Sequence, residues 1–239
     1  MKNKTIRRDL SFFKSIYFEH KHHFHFSKIV LAMLFIFTTI SCTHSQNSEN
    51  KVEAQQSAVN VFGETAYFAS GCFWCVEAVY ESVEGVKEAV SGYSGGETTN
   101  PTYKQVSSGY SDHAEAVKVI YDPAKINFKT LLTVFFDSHN PTTLNQQGPD
   151  RGTQYRSIAF YQNEKEKMLI EQFIDSLNTN KVYQSPVVTE VQAFTKFWRA
   201  EEYHQNYEKK HPNDPYIRNV SIPRLERFQA KHPNLLKDD

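Results

Sequence analysis

Cysteine is scarce in this sequence, and neither sign of charge is in excess. Three cysteines stand among 239 residues, at positions 42, 72 and 75, too few for the disulfide framework of a small secreted domain. The 27 basic and 27 acidic residues cancel, so the composition does not favour nucleic acid or another polyanion as a partner. Hydrophobic residues make up 39% and aromatic residues 14% of the chain, enough for one good-sized core with extensions.

The sequence also lacks an apolar run of about twenty residues, the length that a membrane-spanning helix needs. The apolar run at residues 29–40 is shorter and follows a polar, basic segment. This pattern predicts a signal peptide at residues 1–42. Cys42 resembles the lipid-attachment cysteine of bacterial lipoproteins, which predicts a lipid-anchored protein of the cell envelope or periplasm. Because Thr39 stands where leucine is usual, an ordinary cleaved signal and an uncleaved anchor are the alternatives.

Few apolar residues follow the predicted signal peptide. The composition of residues 43–60 therefore predicts a flexible linker. We expect a folded domain at 61–228 and a C-terminal tail at 229–239. Four histidines near the N-terminus raise the question of a metal site (His20, His22, His23 and His25). They fall in the segment expected to be removed, so the sequence predicts no bound metal.

Hydrophobic periodicity predicts alternating strands and helices between residues 65 and 194. Strands are expected at 65–69, 86–93, 114–121, 155–161 and 187–194, and helices after Cys72, at 127–137 and at 163–177. Their order is the split β-α-β pattern of an α+β, ferredoxin-like two-layer sandwich.

The C-terminal part of the chain has a different pattern. Residues 197–207 predict a short helix that packs aromatic side chains on the core, with His204 as a structural hydrogen-bonding residue. After residue 209, prolines recur at positions 212, 215, 223 and 233. These prolines predict an irregular C-terminal wrap over the surface.

The stretch Gly71-Cys72-Phe73-Trp74-Cys75 is the candidate for chemistry. It joins a predicted strand to a predicted helix, which places Cys72 at a helix N-terminus, where free N–H groups and the helix dipole favour a thiolate. The aromatic pair after Cys72 suits a substrate with a small hydrophobic end. Cys75 completes a C-x-x-C spacing, typical of redox work or of half a zinc site, but no second cysteine pair supplies the other half. Packing at the strand-to-helix turn is the alternative for both cysteines.

Glu115 stands on the apolar side of a predicted strand, together with Val117, Val119 and Tyr121. Such a carboxylate either points outward at the end of the strand or is buried. Burial beside Cys72 would favour the protonated acid, which can donate a proton at neutral pH.

Five segments follow one another between residues 71 and 157. They are Gly71-Cys72-Phe73-Trp74, Gly92-Tyr93-Ser94-Gly95-Gly96, Asn100-Pro101-Thr102-Tyr103, His113-Ala114-Glu115-Ala116-Val117 and Gly152-Thr153-Gln154-Tyr155-Arg156-Ser157. In this order they resemble the A-type peptide methionine sulfoxide reductase family, over residues 64–228. The resemblance implies that the chain reduces the S epimer of methionine sulfoxide, protein-bound and free, to methionine and so repairs oxidised proteins.

The resemblance also implies roles for individual residues. Cys72 would attack the sulfoxide sulfur and become a sulfenic acid, with Glu115 as the proton donor. Tyr103 and Tyr155 would donate hydrogen bonds to the departing oxygen. The residues expected to bind the substrate or hold the site are Phe73, Trp74 and Asp150.

No cysteine follows Cys75, although many family members use one near the C-terminus for the second half of the reaction. Cys75 is therefore the candidate within the chain to resolve Cys72, since one helical turn separates the two. We expect a Cys72–Cys75 disulfide that thioredoxin or another dithiol reduces, with no bound cofactor and a monomeric chain. Asp112 stands where the family usually has glycine, which leaves the shape of that loop open.

Two other classes of function fit parts of the sequence. A general thiol–disulfide oxidoreductase would use Cys72 and Cys75 as its redox pair, but it leaves Glu115 and the tyrosines without a role. A lipid-anchored binding module would use the cysteines for packing alone, so that replacing Cys72 would affect only stability.

Overall fold

The structure, a computed structural model, describes residues 63–238. The predicted signal peptide, the predicted lipid-attachment residue Cys42 and the predicted linker at 43–60 all lie outside the described residues. Among residues 63–238, no helix combines the length and the apolar character that crossing a membrane requires.

A six-stranded sheet forms the centre of the described domain. The strands in chain order are β1 (Glu64–Ser70), β2 (Val86–Ser94), β3 (Ala114–Tyr121), β4 (Gln146–Gln147), β5 (Asp150–Arg151), β6 (Ser157–Tyr161), β7 (Glu190–Ala193) and β8 (Trp198–Arg199). The sheet has the order β7-β6-β1-β3-β2-β8, while β4 and β5 pair separately. Neighbours are antiparallel except β6 and β7, which are parallel. Because β3 lies between β1 and β2 and runs opposite to both, the predicted split β-α-β pattern and the α+β class are confirmed.

Helices follow most of these strands. In the described part of the chain they are α1 (Phe73–Glu81), α2 (Tyr103–Ser107), α3 (Phe128–Asp137), α4 (Glu164–Thr179), α5 (Tyr207–Lys210) and α6 (Ile222–Lys231). Asn127 and Asn163 cap α3 and α4, because their side chains accept backbone N–H groups of the first turn at 2.9 and 3.0 Å. The sequence predicted a helix start at both positions.

Phe68, at the middle of β1, lies at the centre of the core. Its ring stacks on Tyr80 of α1 at 5.3 Å between centroids and on Phe135 of α3 at 5.1 Å. Ile170 of α4 and Phe228 of α6 are buried in the same cluster. Alternate residues of β1 face the other side of the sheet, where Tyr67 stacks on Phe194 at 3.7 Å. Both faces of the central strand are therefore covered, and the side chains that reach α1 come from one face only.

The expectation of an irregular C-terminal wrap is wrong in part. Residues Ile222–Lys231 form the helix α6, and a π-helical turn, Ile217–Ser221, precedes it. Pro223 stands in the first turn of α6, directly after the π-helical turn. The proline therefore lies within helical backbone and does not end it.

The single short helix expected at residues 197–207 is also wrong. Trp198–Arg199 adds the edge strand β8 to β2, a 3-10 turn follows at Glu202–His204, and α5 begins only at Tyr207. Asn206, between the turn and α5, has a left-handed φ of 54°. Phe197 and Trp198 pack against the core, as the sequence predicted, and Tyr207 stacks on Trp74, whereas Tyr203 is exposed.

Two buried polar side chains hold this segment to the sheet and to α1. Gln205 accepts the backbone N–H of Ser91 at 3.1 Å and donates to the carbonyl of Ser91 at 3.0 Å, so the side chain continues the ladder of β2. Glu77, on α1, accepts the hydroxyl of Ser91 at 2.7 Å and the backbone N–H of Asn206 at 3.0 Å. Burial raises the pKa of Glu77 to about 7.

We expect Glu77→Ala to lower the free energy of unfolding by about 1–3 kcal/mol, because Ser91 and Asn206 lose a buried acceptor. Glu77→Gln keeps an acceptor for Asn206 and should retain most of the stability. Wild type should lose stability relative to Glu77→Gln as the pH rises through the interval between the ordinary pKa of 4.5 and the folded value of about 7, because the unfolded chain releases the proton first. Urea unfolding across this pH range measures both effects. An alanine variant as stable as wild type would contradict the anchoring role.

Candidate active site

A left-handed glycine sets the position of Cys72. Gly71 has a φ of +89°, and a Cβ atom there would lie 2.6 Å from the Cβ atom of Gln147, so the turn between β1 and α1 has room only for glycine. The turn makes Cys72 the residue that precedes α1, with a φ of −54° and a ψ of 123°. Its side chain is buried, with 6% of its surface exposed.

Glu115 belongs to the sheet and lies beside the start of α1. It lies near the start of β3, 2% exposed, and accepts the backbone N–H of Phe73 on its Oε2 atom at 3.0 Å. Burial raises the pKa of Glu115 to about 8, and the charges of Asp150 and Cys75 act in the same direction. Of the two alternatives for this carboxyl group, the structure shows the buried one. Glu115 is therefore mostly protonated at neutral pH.

Tyr103 and Tyr155 lie at the same site as Cys72 and Glu115. Tyr103 begins α2, its backbone N–H donates to Glu201 at 2.9 Å, and its ring packs 6.4 Å from that of Phe73. Tyr155 ends a 3-10 turn that follows β5. Burial raises the pKa of Tyr103 to about 12, and that of Tyr155 further, with the charges of Glu115 and Cys72 among the causes for both. Both phenols therefore keep their hydrogens and can donate them.

Asp112 shapes the loop that precedes α2. Its carboxylate accepts the backbone N–H of Glu97 at 2.8 Å and both the N–H and the hydroxyl of Thr98, at 3.3 and 3.1 Å. These hydrogen bonds, that of Glu97 first, hold the pKa of Asp112 at about 2. Asp112, which stands where the resembling family usually has glycine, thus closes the loop with its side chain.

The aromatic pair after Cys72 is held by the C-terminal segment. Phe73 is buried, whereas Trp74 is half-buried and stacks on Tyr207 with 3.8 Å between ring centroids. The indole N–H of Trp74 donates to Nδ1 of His204 at 3.2 Å. Burial lowers the pKa of His204 to about 4, so the ring is neutral and acts as the structural hydrogen-bonding residue that the sequence predicted.

Asp150 has a partner that the sequence did not indicate. The hydroxyl of Tyr216 donates to its Oδ2 atom at 2.6 Å and lies 3.8 Å from the sulfur of Cys75. Tyr216 belongs to the proline-containing tail, where we expected irregular backbone and no site residue. Glu77 was also missed, although a glutamate at helical spacing from Phe73 and Tyr80 on an apolar face was a visible signal.

The expected lowering of the Cys72 pKa is wrong. Burial raises the pKa of Cys72 well above its ordinary value, and Cys75 and Glu115 add to the rise. Phe73, whose N–H is one of the free groups at the start of α1, donates to Glu115 instead. The hydrogen bond between the two thiols lowers the pKa of Cys75 instead, with a further contribution from the charge of Arg224. Burial therefore favours the thiol form of Cys72 in the reduced pair.

The arrangement brings together every site residue that the sequence predicted within residues 63–238. Cysteine, carboxyl and phenol groups converge on the start of α1, and an aromatic wall lies beside them. Among the described residues, no cluster of three or more histidine, cysteine, aspartate and glutamate side chains could hold a metal ion. The chemistry available is that of a thiol pair with a neutral acid.

Comparison with known proteins points to the same family that the sequence motifs resemble. Residues 64–235 match the family model described as peptide methionine sulfoxide reductase. The peptide methionine sulfoxide reductase MsrA of Haloquadratum walsbyi is 49% identical and covers 70% of this chain and 94% of its own length. The MsrA of Polynucleobacter asymbioticus is 44% identical, with 72% and 91% covered.

Solved structures agree with these relatives. The reduced form of Mxr1 from Saccharomyces cerevisiae has a TM-score of 0.59 and 32% identity, covering 64% of this chain and 88% of that one. Methionine sulfoxide reductase A of Corynebacterium diphtheriae has a TM-score of 0.56 and 31% identity, with 62% and 75% covered. The family model spans most of the chain, and the relatives match over nearly their whole length. The chain therefore belongs to the peptide methionine sulfoxide reductase family.

Proposed function

We propose that Cys72 is the nucleophile with which this chain reduces methionine sulfoxide, and that Glu115 supplies the proton. The observation that carries the proposal is the burial of Glu115 against the start of α1, where its carboxyl group accepts the Phe73 N–H at 3.0 Å beside Cys72. With a pKa of about 8, this group can protonate an oxygen at neutral pH. The reaction of the family needs such a donor, because the oxygen leaves sulfur only when it is protonated.

In the first step the proton of Cys72 passes to Cys75, and the Cys72 thiolate attacks the sulfoxide sulfur. The sulfoxide oxygen takes the proton of Glu115, and the resulting hydroxyl group moves from the substrate sulfur to the sulfur of Cys72. The S–O bond to the substrate and the transient bond between the two sulfurs both break, which leaves methionine and a sulfenic acid on Cys72. The substrate sulfur gains two electrons and the sulfur of Cys72 loses two. Tyr103 and Tyr155 donate hydrogen bonds to the oxygen while negative charge develops on it.

The aromatic wall explains selection of one epimer. A sulfoxide sulfur carries oxygen, a methyl group and the rest of the side chain in a fixed chiral order. With the oxygen at Glu115 and the methyl group against Phe73 and Trp74, only one epimer directs the rest of its side chain out of the site. We assign this pose to the S epimer, the one that peptide-methionine (S)-S-oxide reductases accept.

In the second step Cys75 attacks the sulfur of the Cys72 sulfenic acid. A disulfide forms, the S–O bond breaks, and the hydroxyl group leaves as water with the proton of Cys75. The position of Cys75 on the first turn of α1 supports this role. We propose thioredoxin or another dithiol as the reductant, because a disulfide between two cysteines of one helical turn is reduced by exchange with a dithiol.

A further feature supports this reading over general disulfide exchange. Disulfide exchange needs no neutral acid, so the burial of Glu115 would have no chemical use in it.

We further propose that the chain works in the cell envelope or periplasm, attached to a membrane through a lipid on Cys42. The support is the sequence alone: a basic segment, the apolar run at 29–40, and then Ser41 and Cys42. A linker at 43–60 would then separate the catalytic domain from the membrane.

The first prediction concerns reaction and nucleophile together. The full chain with dithiothreitol should reduce the S epimer of a methionine sulfoxide peptide and leave the R epimer unchanged. Cys72→Ser should lower this activity by at least about 10³-fold, since the chemical step loses its nucleophile. Chiral chromatography of the peptide measures both results. A folded wild-type protein that reduces neither epimer would exclude the assignment, and disulfide exchange on a model substrate would be measured next.

The second prediction concerns Glu115. Glu115→Gln keeps the acceptor for the Phe73 N–H but has no acidic proton, so methionine formation in a single turnover should slow by about 10²–10⁴-fold. In wild type this rate should fall as the pH rises through about 8, because Glu115 loses the proton that it donates. Rapid-quench measurements across this pH range should show that the variant lacks this fall. An unchanged rate in the variant would assign the proton to another group.

The third prediction concerns the membrane. Cys42→Ala should move the protein from the membrane fraction to the soluble fraction, because the lipid-bearing side chain is removed. Mass spectrometry of the wild-type N-terminal peptide should find the acylated cysteine. A wild-type protein that is already in the soluble fraction would support an ordinary cleaved signal instead.

A further inference from the structure

Tyr216 contacts both Cys75 and Asp150, and the reaction described above makes no use of these contacts. Its hydroxyl oxygen lies 3.8 Å from the sulfur of Cys75 and 2.6 Å from Oδ2 of Asp150. Cys75 is on the first turn of α1 and Asp150 is on β5, while Tyr216 directly precedes the π-helical turn of the C-terminal segment. Three distant parts of the chain thus bring together a thiol, a phenol and a carboxylate, with the phenol in the middle.

The direction of the two hydrogen bonds of Tyr216 follows from the number of hydrogens available. A phenol hydroxyl has one hydrogen, and an ionised carboxylate can only accept. At 2.6 Å the hydroxyl of Tyr216 donates to Asp150, a distance typical of a hydrogen bond to a charged oxygen. The oxygen of Tyr216 then has only lone pairs left for Cys75, so the Cys75 thiol is the donor of the longer hydrogen bond.

Neighbouring contacts hold the phenol of Tyr216 in this position. Its backbone N–H and that of Ile217 both donate to Oδ1 of Asp214, at 2.8 and 3.2 Å. Its ring meets the indole ring of Trp74 edge-on, with 6.0 Å between the centroids. The π-helical turn Ile217–Ser221 follows directly, and such turns are frequent at functional sites. The hydroxyl group therefore has a defined position between the thiol and the carboxylate.

Exposure to solvent increases from Cys75 to Asp150. Cys75 is 2% exposed, so solvent has little access to its proton, whereas Tyr216 and Asp150 are half-buried. Burial raises the pKa of Asp150 above its ordinary value, although the hydrogen bond from Tyr216 and the charge of Arg224 act in the opposite direction. A proton that leaves Cys75 through Tyr216 thus reaches a carboxylate that can exchange it with solvent.

Other titratable or charged groups face these three residues. They are Cys72 and Arg224, which act on Cys75, and Glu115, Tyr103 and Tyr155, on which the charge of Asp150 acts. Glu115 has given up its proton in the first step, but its carboxyl group is hydrogen-bonded to the Phe73 N–H and not to Cys75 or Tyr216. The two other phenols keep their hydrogens. Of these groups, Asp150 is the base that contacts the Tyr216 hydroxyl.

We propose that Tyr216 and Asp150 form a proton relay that removes the proton of Cys75 in the resolving step. The inference rests on the proposed function, in which Cys75 attacks the sulfenic acid on Cys72. Tyr216 contacts the reacting sulfur and is a catalytic residue, whereas Asp150 acts through Tyr216. The relay is needed because the thiolate, and not the thiol, is the nucleophile.

The relay accounts for each proton and electron pair of the resolving step. The thiol proton of Cys75 moves to the oxygen of Tyr216 while the hydrogen of that hydroxyl moves to Asp150. The Cys75 sulfur supplies the electron pair of the new bond to the sulfur of Cys72, and the S–O bond of the sulfenic acid breaks. Hydroxide leaves with the electron pair of the broken bond and takes the proton from Asp150. Water forms, and the carboxylate is restored.

The test separates the two steps of a single turnover in the full chain. Reduced enzyme is mixed with a methionine sulfoxide peptide without external thiol and quenched in acid at several times, over a range of reaction pH. Released methionine measures the first step. Mass spectrometry of the peptide that contains Cys72 and Cys75 resolves thiol, sulfenic acid and disulfide, and the conversion of sulfenic acid to disulfide measures the second step.

Three variants are compared with wild type. Tyr216→Phe removes the hydroxyl group and keeps the ring. Asp150→Asn keeps an acceptor for the Tyr216 hydroxyl but is not a base. The matched control is Tyr121→Phe, because the hydroxyl of Tyr121 also donates to a carboxylate, that of Glu64 at 2.8 Å, at the end of β3 far from the site.

We expect Tyr216→Phe and Asp150→Asn to slow the second step by about 10²-fold or more at neutral pH, the usual effect of losing general base catalysis. Sulfenic acid should then accumulate after methionine has been released. As the pH rises past the ordinary thiol pKa of about 8.5, the deficit should shrink, because Cys75 then ionises without the relay. Tyr121→Phe should keep the wild-type rates and pH profile.

Three results would overturn the inference. The first is a folded Tyr216→Phe protein that forms the disulfide at the wild-type rate at neutral pH. The second is a deficit that is the same at every pH, which would mean that Tyr216 only fixes the C-terminal segment to β5. The third is a folded Asp150→Asn protein with the wild-type rate, and this variant decides the matter even if Tyr216→Phe does not fold.

Failure of the proposed function gives a different result. Wild type itself would then form no Cys72–Cys75 disulfide, whatever its release of methionine, and the relay would be excluded with it. In contrast, if wild type forms the disulfide and Cys75→Ser stops at the sulfenic acid, the proposed function stands. The Tyr216 and Asp150 variants alone then decide the inference.

Discussion

The hydrogen bond from the Phe73 N–H to Glu115 joins the sheet to the helix that carries the nucleophile. It gives the first N–H of α1 an acceptor and fixes a carboxyl group directly beside Cys72. The acceptor is buried and mostly neutral, so it stabilises a thiolate on Cys72 less than a cation would. Burial and this neighbouring carboxyl group together raise the pKa of Cys72.

Residues 201–207 support the active site through contacts with its aromatic side chains. Glu201 fixes the backbone of Tyr103, and His204 with Tyr207 fixes the ring of Trp74. Glu77 and Gln205 in turn tie that segment to α1 and β2. Apart from the stacking of Tyr207 on Trp74, these contacts are buried or partly buried hydrogen bonds, whose directions are specific. The segment that looked least ordered in sequence thus positions much of the aromatic wall.

The elements that could be predicted are those whose signals are local. The alternation in β3, the caps Asn127 and Asn163 and the apolar spacing of α1 each lie within a few residues, and all of them formed. The helix α6 was missed because Pro223 is compatible with a first turn as well as with irregular backbone. The Cys72 pKa was misjudged because helix position is visible in sequence, whereas burial depends on residues far along the chain and outweighs it here. Tyr216 and Arg224 reach the site across long sequence separations and leave no local pattern.

The bond between Arg224 and Ser70 spans 154 positions of the sequence. During synthesis the nucleophile turn leaves the ribosome long before the helix that completes its surroundings. Until α6 arrives, Gly71 and its neighbours have no guanidinium group behind them, and Trp74 has no Tyr207 to stack on. The emerging chain therefore carries two exposed thiols, and the buried pair is complete only when the last part of the domain has folded.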